Sequence, residues 1–413
     1  MKKAILGGVL LVSSSAFAGY SSLPELNINQ LHDQEIQREA KGEAPHFAVP
    51  TVVAITPEWN IVGNNLVWKH NIYAPNAVSL NFGFTKFKLS KNAKLEIYSS
   101  DLSKSLNILT AKDNNVNNEL WTAVLMSESA IIELTVPMSE ESQNLIELGS
   151  INQGFRTFTD STKKSGSCNV DVACKESRGW ENEVNSVAVI SKGGSSFCTG
   201  FMVNNTANDK TPYFMTAAHC GVDAAGAKSL VTYWNYQASK CGGSRDGQHN
   251  QYQSGATFLA ASRKTDFTLV KLNSNPQESF GVRFAGWDRT GADATSSTVI
   301  HHPNTDEKAI SFENDPTEIT AYGGDEVPGD GTHVKVVDYE IGTTEPGSSG
   351  SPLFDQNHRV IGQLHGGGAA CGNDEPDWFG RFSLSWTGEG KVGTRLQDYL
   401  DSGKTGAQFV DTI

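Results

Sequence analysis

Between Gly19 and Lys164 there is no cysteine, so no disulfide and no thiolate metal site holds that part of the chain together. After the first eighteen residues no run is long and apolar enough to cross a bilayer as a helix, which leaves a membrane anchor without support. Cations are in deficit, 33 Lys and Arg against 46 Asp and Glu. The resulting net charge of −13 argues against a nucleic-acid partner and favours solubility. Paired C-x-x-C or H-x-x-x-H ligands are missing, so no metal site and no cofactor are expected. Internal repeats and low-complexity segments are missing too.

What the chain does have begins at its amino terminus. Met1-Lys2-Lys3 is followed by an apolar stretch, Ala4 to Val12, and then by Ser13-Ser14-Ser15-Ala16-Phe17-Ala18. A basic start, a short hydrophobic region and an Ala-x-Ala site describe a secretory signal cleaved after Ala18. Export carries the product to a compartment where disulfides persist. The six cysteines, Cys168, Cys174, Cys198, Cys220, Cys241 and Cys371, are therefore read as three disulfides, with the pairing left open by their number.

With 413 residues the chain exceeds one ordinary domain. Residues 26–43 are polar and read as helical or loose. Alternating segments follow, with Leu80, Phe82 and Phe84 on one face, then Phe87 and Leu89, then Leu95 and Ile97, and a strand from Ile131 to Val136. Residues 19–164 thus read as a β-rich unit. It suits either a surface-binding module or a propeptide that assists folding and blocks an active site; the propeptide reading is preferred because every catalytic motif described below lies C-terminal to it. The stretch Thr157 to Ser167 is small and polar and contains Lys163-Lys164, the mark of an exposed, cleavable linker. Residues 165–413 form the second unit. Its short strands are separated by Gly, Asn, Asp and Ser turns: 186–190, 197–203, 213–217, 230–236 and 267–272, then 298–301, 333–340, 353–354, 359–364 and 381–386. This spacing predicts an all-β double antiparallel barrel. One terminal helix is expected over 394–402, capped by Thr394 and stopped by Gly403.

Three segments carry chemistry. In Thr344-Glu345-Pro346-Gly347-Ser348-Ser349-Gly350-Ser351-Pro352 a serine lies in a glycine-bracketed loop between strands. Glycine permits a tight backbone that exposes Oγ and aims the N–H groups of Gly347 and Ser349 at one point, an oxyanion hole. A serine needs a base. His219 ends the apolar strand of Thr216-Ala217-Ala218-His219-Cys220, and Asp266 opens the alternating strand Phe267 to Leu272. The order His, Asp, Ser is that of chymotrypsin-type enzymes. The three segments resemble the active-site segments of chymotrypsin-like serine proteases.

The resemblance narrows with S-G-S-C-N-V-D-V-A-C (165–174), V-N-N-T-A-N-D (203–209), Y-W-N-Y-Q (233–237), A-G-W-D-R (285–289), I-H-H-P-N (300–304), T-E-P-G-S-S-G-S-P (344–352), G-Q-L-H-G-G (362–367) and T-G-A-Q-F (405–409). Together these segments resemble the bacterial lysyl endopeptidases, secreted proteases made with a long propeptide. The resemblance implies a triad of His219, Asp266 and Ser349. It implies a lysine-binding carboxylate at Asp377, a second pocket carboxylate at Glu345, and substrate contacts from Gly366 and Gly367. It also implies the bridges Cys168–Cys371, Cys174–Cys241 and Cys198–Cys220. The family's additional histidine falls on His365. A tryptophan stacked between that residue and the catalytic histidine is replaced by Tyr322, from T-A-Y-G-G. Ser348 stands where trypsins carry the aspartate that pairs with a new amino terminus, so activation by unblocking of the cleft is expected instead. The domain reading is a signal peptide over 1–18, a propeptide over 19–164 and a protease over 165–413. The expected product is a secreted monomer, exported through the periplasm, that cuts proteins and peptides after lysine and carries its propeptide as an intramolecular inhibitor or folding aid. The rival readings are a same-fold protease with broader Lys and Arg preference, and an inactive secreted binding protein.

Overall fold

A computed structural model of the chain describes residues 19–41, 43–156, 165–242 and 246–413. The leader and the Lys163-Lys164 pair lie outside the described residues. Among the described residues no helix is long and apolar enough to cross a membrane.

Residues 19–156 pack two sheets face to face. One is four-stranded, in the order 48–55, 145–154, 79–88, 120–121. The other joins 19–22, 65–73, 129–137 and 94–98, with 60–62 on the side. The strict alternation of 65–73 and 129–137 turns Leu66, Trp68 and Ile72, and Ala130, Ile132, Leu134 and Val136, to one face. That face meets Leu80, Phe82, Phe84, Ile146 and Leu148 of the other sheet. Period-two alternation is what a half-buried antiparallel strand requires. The polar segment before these strands is a helix, Ile28–Glu39, whose start is capped by Asn27 accepting from the Gln30 N–H.

Residues 165–413 form two antiparallel barrels. The first sheet runs 252–254, 231–233, 187–192, 196–202, 213–217, 267–272, 256–262. The second runs 170–171, 309–313, 297–301, 352–355, 360–367, 377–381, 333–336, 318–320, with 287–288 and 409–410 alongside. Each barrel has its own interior: Ile190, Met202, Phe214 and Val270 in the first, Val299, Val336, Leu353 and Phe379 in the second. A third cluster joins the barrels through Phe201, Met215, Leu269, Trp287, Phe354 and Val360. The three disulfides are Cys168–Cys371, Cys174–Cys241 and Cys198–Cys220. The first ties the start of this unit to the second barrel across 203 residues.

Two expectations need correction. The chain leaves the sheet after Arg381, and 382–387 is a helix rather than the end of a strand. Phe382 and Trp386, four apart, fall on one helical face and pack on Trp287 at ring separations of 5.6 and 4.6 Å. The terminal helix is confined to Gln397–Leu400. Thr394 does not cap it, because its hydroxyl is taken up by Lys391 O and Glu389 N. The Asp401 carboxylate ends it by accepting from the Thr405 and Gly406 N–H groups, which pulls the chain into a turn.

The two units share an interface. Phe47, Ala48, Ala123 and Val124 cluster with Val189, Phe197, Val231, Tyr233 and Tyr236 of the first barrel. Strand 187–192 therefore buries both faces, with Ala188 and Ile190 turned inward and Val189 toward residues 19–156. Polar contacts rim the cluster: Asn81 donates to Gly194 O at 2.9 Å, and Lys228 pairs with Glu119 at 3.2 Å.

Candidate active site

Strand register brings the first two residues together. Strand 213–217 pairs antiparallel with 267–272, Ala217 opposite Phe267, so the next residues on each side meet. There the Ala218 N–H donates to Asp266 O at 2.7 Å and the His219 N–H to Asp266 Oδ1 at 2.9 Å. The His219 ring closes the pair, Nδ1 to Asp266 Oδ2 at 2.7 Å. Asp266 is buried and adopts φ = +52°, a left-handed conformation that surrounding structure must enforce. The neighbouring Thr265 is held by Gln363, which donates to its carbonyl at 2.6 Å, and by Ser385 at its hydroxyl. Gly380 is required there, since a Cβ would stand 1.7 Å from Thr265 O. On the other side, Cys198–Cys220 clasps the turn that carries His219 to strand 196–202.

The loop 343–351 brings in Ser349. The Thr199 N–H donates to Ser349 O at 2.9 Å and the Gly350 N–H to Leu364 O at 2.8 Å, one anchor from each barrel. Gly347 and Gly350 have φ of +96° and +86°, and a Cβ on either would strike Phe197 or Thr199 O. Among the described residues the N–H groups of Gly347 and Ser349 make no hydrogen bond within the protein. They are free to meet an oxyanion. Beneath them Ser348 is fully buried against His301, Nδ1 to Oγ at 2.8 Å. Ser349 and His219 line one cleft of about 340 Å³. Among the described residues the His219 ring bonds Asp266 and makes no hydrogen bond to Ser349 Oγ.

The same cleft is lined by Asp377, Glu345, Thr344, Tyr322, His365, Gly366 and Gly367. Asp377 is 1% exposed, and its Oδ2 accepts from the Thr344 hydroxyl at 2.6 Å and the Tyr339 hydroxyl at 3.0 Å. Burial raises its pKa above the usual carboxylate range, against the pull of those two hydroxyls and of the Ala369 N–H. Among the described residues no cation pairs with it. Glu345 also lines the cleft, but its carboxylate is already occupied: Oε1 accepts from the Gly166 N–H at 2.6 Å and from Asn169 at 3.1 Å, and Oε2 from Asn304 at 3.0 Å. Tyr322 stacks on His365 at 3.7 Å, and His365 lies 5.7 Å from His219. The order is therefore His219, His365, Tyr322, with the tyrosine outermost rather than between the imidazoles. His219, Asp266 and His365 hold donor atoms within 4.8 Å of one another, close enough for a cation, but the His219–Asp266 bond uses two of those atoms.

Residues not singled out from the sequence complete the site. Tyr339 and Thr344 hold Asp377, and His333 bonds His365. Lys41, Glu43 and Pro45 of the N-terminal unit also line the cleft. Pro45 and Phe47 flank an antiparallel bridge between His46 and Ser196 of the first barrel: the Phe197 N–H donates to Pro45 O at 3.0 Å and the Phe47 N–H to Ser195 O at 2.8 Å. The one sequence hint was His333, a histidine opening an apolar strand; nothing local marks the others.

The model of the lysyl endopeptidase C-terminal domain matches residues 162–380. A lysyl endopeptidase of Pseudomonas aeruginosa is 31% identical over 303 residues, 66% of this chain and 63% of the relative, so the chain spans less than two thirds of that protein's length. Among solved structures, the active form of the Rv3671c protease from M. tuberculosis overlaps 57% of this chain and 97% of its own, with 17% identity and a TM-score of 0.34. A Glu endopeptidase overlaps 52% and 92%, with 18% identity and a TM-score of 0.34. Overlaps this low add nothing to the barrels described above. The family match covers more than half of the chain, including the His219, Asp266 and Ser349 segments, and the chain belongs to the lysyl endopeptidase family.

Proposed function

We propose that the chain is the precursor of a secreted serine endopeptidase that cleaves after lysine. The carrying observation is the buried Asp377 carboxylate, lining the cleft with two hydroxyls and the Ala369 N–H as partners and, among the described residues, no cation. A buried charge without a counterion is costly, and a substrate ammonium would relieve it. The raised pKa reflects that cost, and a lysine ammonium entering the cleft would favour the ionised form. Lysine suits a single carboxylate as a compact charge, whereas arginine presents a wide planar fork.

The reaction follows from the rest of the cleft. Ser349 Oγ attacks the scissile carbonyl as His219 takes its proton, giving a tetrahedral intermediate held by the Gly347 and Ser349 N–H groups. His219 then protonates the leaving amine, and water repeats the sequence on the acyl-enzyme. Asp266 holds the imidazole with Nδ1 protonated through the 2.7 Å bond.

Residues 19–164 serve as the propeptide in this reading, with 1–18 as the signal. Support comes from Lys41, Glu43 and Pro45, which line the cleft, and from the antiparallel bridge of His46 with Ser196 that holds Pro45 and Phe47 against the first barrel, as an inhibitor would be held. Cleavage after Lys164 would start the mature protein at Ser165. The docked segment 165–169, with Gly166 on Glu345 and the Ser165 hydroxyl on Asp306 at 2.7 Å, suits a mature terminus.

Mass-spectrometric mapping of cuts in a mixed protein digest tests specificity; cuts spread equally over lysine and arginine would sink the lysine assignment. Ser349→Ala should abolish turnover and leave the precursor uncleaved. Hydrolysis by that variant at the wild-type rate would remove Ser349 from its role.

A further inference from the structure

We propose that Asp330, Thr332 and His333 form a positioning chain that fixes which nitrogen of His365 carries the proton, and so which atom His365 turns toward Asp266. The proposal rests on the reading of Asp266 as the carboxylate of a His-Asp-Ser triad.

The chain can be followed from the surface inward. The Thr332 hydroxyl lies 2.6 Å from Asp330 Oδ1. A carboxylate only accepts, so the hydroxyl proton is committed to it. That oxygen can then only accept from its other neighbour, His333 Nδ1, at 2.8 Å. His333 is buried, and burial with the neighbouring His365 lowers its pKa to about 4, so it is neutral at physiological pH. A neutral imidazole has one N–H. With that proton on Nδ1, His333 Nε2 is an acceptor. Its partner at 3.0 Å is His365 Nδ1, which must donate. Neutral His365 is therefore protonated on Nδ1, and its Nε2 presents a lone pair.

That lone pair faces Asp266 Oδ2 at 3.7 Å. The distance is longer than a hydrogen bond, as expected where two acceptors face each other and unlike the 2.7 Å from His219 Nδ1 to the same oxygen. Asp266 Oδ2 is thus left undivided to His219. Only when His365 takes a second proton does it offer Asp266 a donor, and with it a positive charge beside His219. Burial, with His219 nearby, lowers the His365 pKa despite the opposing pull of Asp266, so this second state belongs to acid. Tyr322, stacked on the ring, lies within the field of Asp266 and Asp377. Lys335, on the His333 strand, is paired with Asp325, and Arg381, on the strand beside His365, donates to Gly331 O and Gly291 O. Lys264 acts on Asp330 at the outer end. None of these groups breaks the sequence of donors and acceptors.

The chain predicts the consequence of cutting it. Thr332→Val removes the acceptor for His333 Nδ1–H and frees His333 to donate from Nε2. His365 then accepts at Nδ1 and carries its proton on Nε2, where it competes for Asp266. A shared carboxylate stabilises the His219 imidazolium less, so the acidic limb of kcat/KM should move to lower pH, by about half a unit. Thr332→Ser keeps the hydroxyl and should restore the wild-type profile.

The decisive measurement is histidine 15N NMR at neutral pH on the full chain carrying Ser349→Ala, assigned by single His→Gln variants. His333 and His365 should both be protonated on Nδ1, with His365 shifting to Nε2–H when Thr332→Val is added. A His365 protonated on Nε2 in the Ser349→Ala protein overturns the proposal, even if Thr332→Val does not fold. So does an unchanged tautomer in a folded Thr332→Val protein, or an equal shift of the pH limb in Thr332→Ser. The tautomers are read without turnover, so failure of the triad reading would show separately, as hydrolysis surviving Ser349→Ala.

Discussion

The sheets of residues 19–156 and those of residues 165–413 differ in what they bury. The N-terminal pair of sheets encloses apolar side chains in regular alternation, from Trp68 and Phe84 to Leu134 and Leu148, and has no cystine. The barrels also enclose apolar clusters but bury more ionisable groups, Asp266, His301, His302, Lys308 and Asp377 among them against Glu35, His70 and Arg156 in residues 19–156, and are crossed by three disulfides. Alternating apolar residues suffice to make a β-sandwich. A unit that buries charged and titratable groups gives up stability to do so, and covalent ties offset part of it. The difference bears on where chemistry resides: of these buried groups Asp377 lines the cleft shared by Ser349 and His219, and Asp266 bonds the His219 ring there.

Asp377→Asn tests that view with the largest expected effect. Asparagine can still accept from Tyr339 and Thr344 but cannot meet an ammonium. kcat/KM for lysyl substrates should fall by about 10²–10⁴, while thermal stability holds or rises. A variant that melts earlier yet keeps full lysyl activity would show Asp377 to be structural and would break the contrast. Phe84→Ala probes the other unit, where only packing is at stake. Its loss should be about 3–5 kcal/mol in denaturant titration of the full chain, seen in residues 19–156. A negligible loss would mean that the sandwich leans on the barrel interface instead.

The double variant Cys198→Ser, Cys220→Ser sharpens the role of the covalent ties. It should cost about 2–4 kcal/mol and lower kcat beyond that, since the turn bearing His219 loses its clasp. A stability loss with unchanged kcat would assign the bridge to folding alone. The last prediction concerns pH. Burial lowers the His301 pKa to about 3 from an unperturbed value near 6.5. Between those values the unfolded chain binds the proton and the folded one does not, so stability falls on acidification below about pH 6.5, by at most about 1.4 kcal/mol per pH unit from this residue. His301→Gln should flatten that slope in melts taken from pH 7 to pH 4. An unchanged slope would place the acid sensitivity in other groups.

Much of this was legible in the chain itself. Alternation marked strands such as 129–137 and 267–272, because a pleated strand with one buried face must repeat every second residue. The apolar strand ending in His219 and the glycines bracketing Ser349 were visible because each local conformation has a residue-type requirement. Helix 382–387 was missed because a short aromatic-rich stretch fits either period.

Tertiary structure decided the pairings. Only strand register set Asp266 against His219, and only the fold showed Glu345 engaged by Gly166 and Asn304. The chain from Asp330 to His365 joins two segments of ordinary composition. The bridge that Pro45 and Phe47 make with Ser195 and Phe197 uses backbone groups that every residue possesses. Sequence determines what a side chain can do and which backbone shapes it tolerates. Which donor meets which acceptor depends on long-range register and packing, and residues far apart in the chain carry no local mark of their partners.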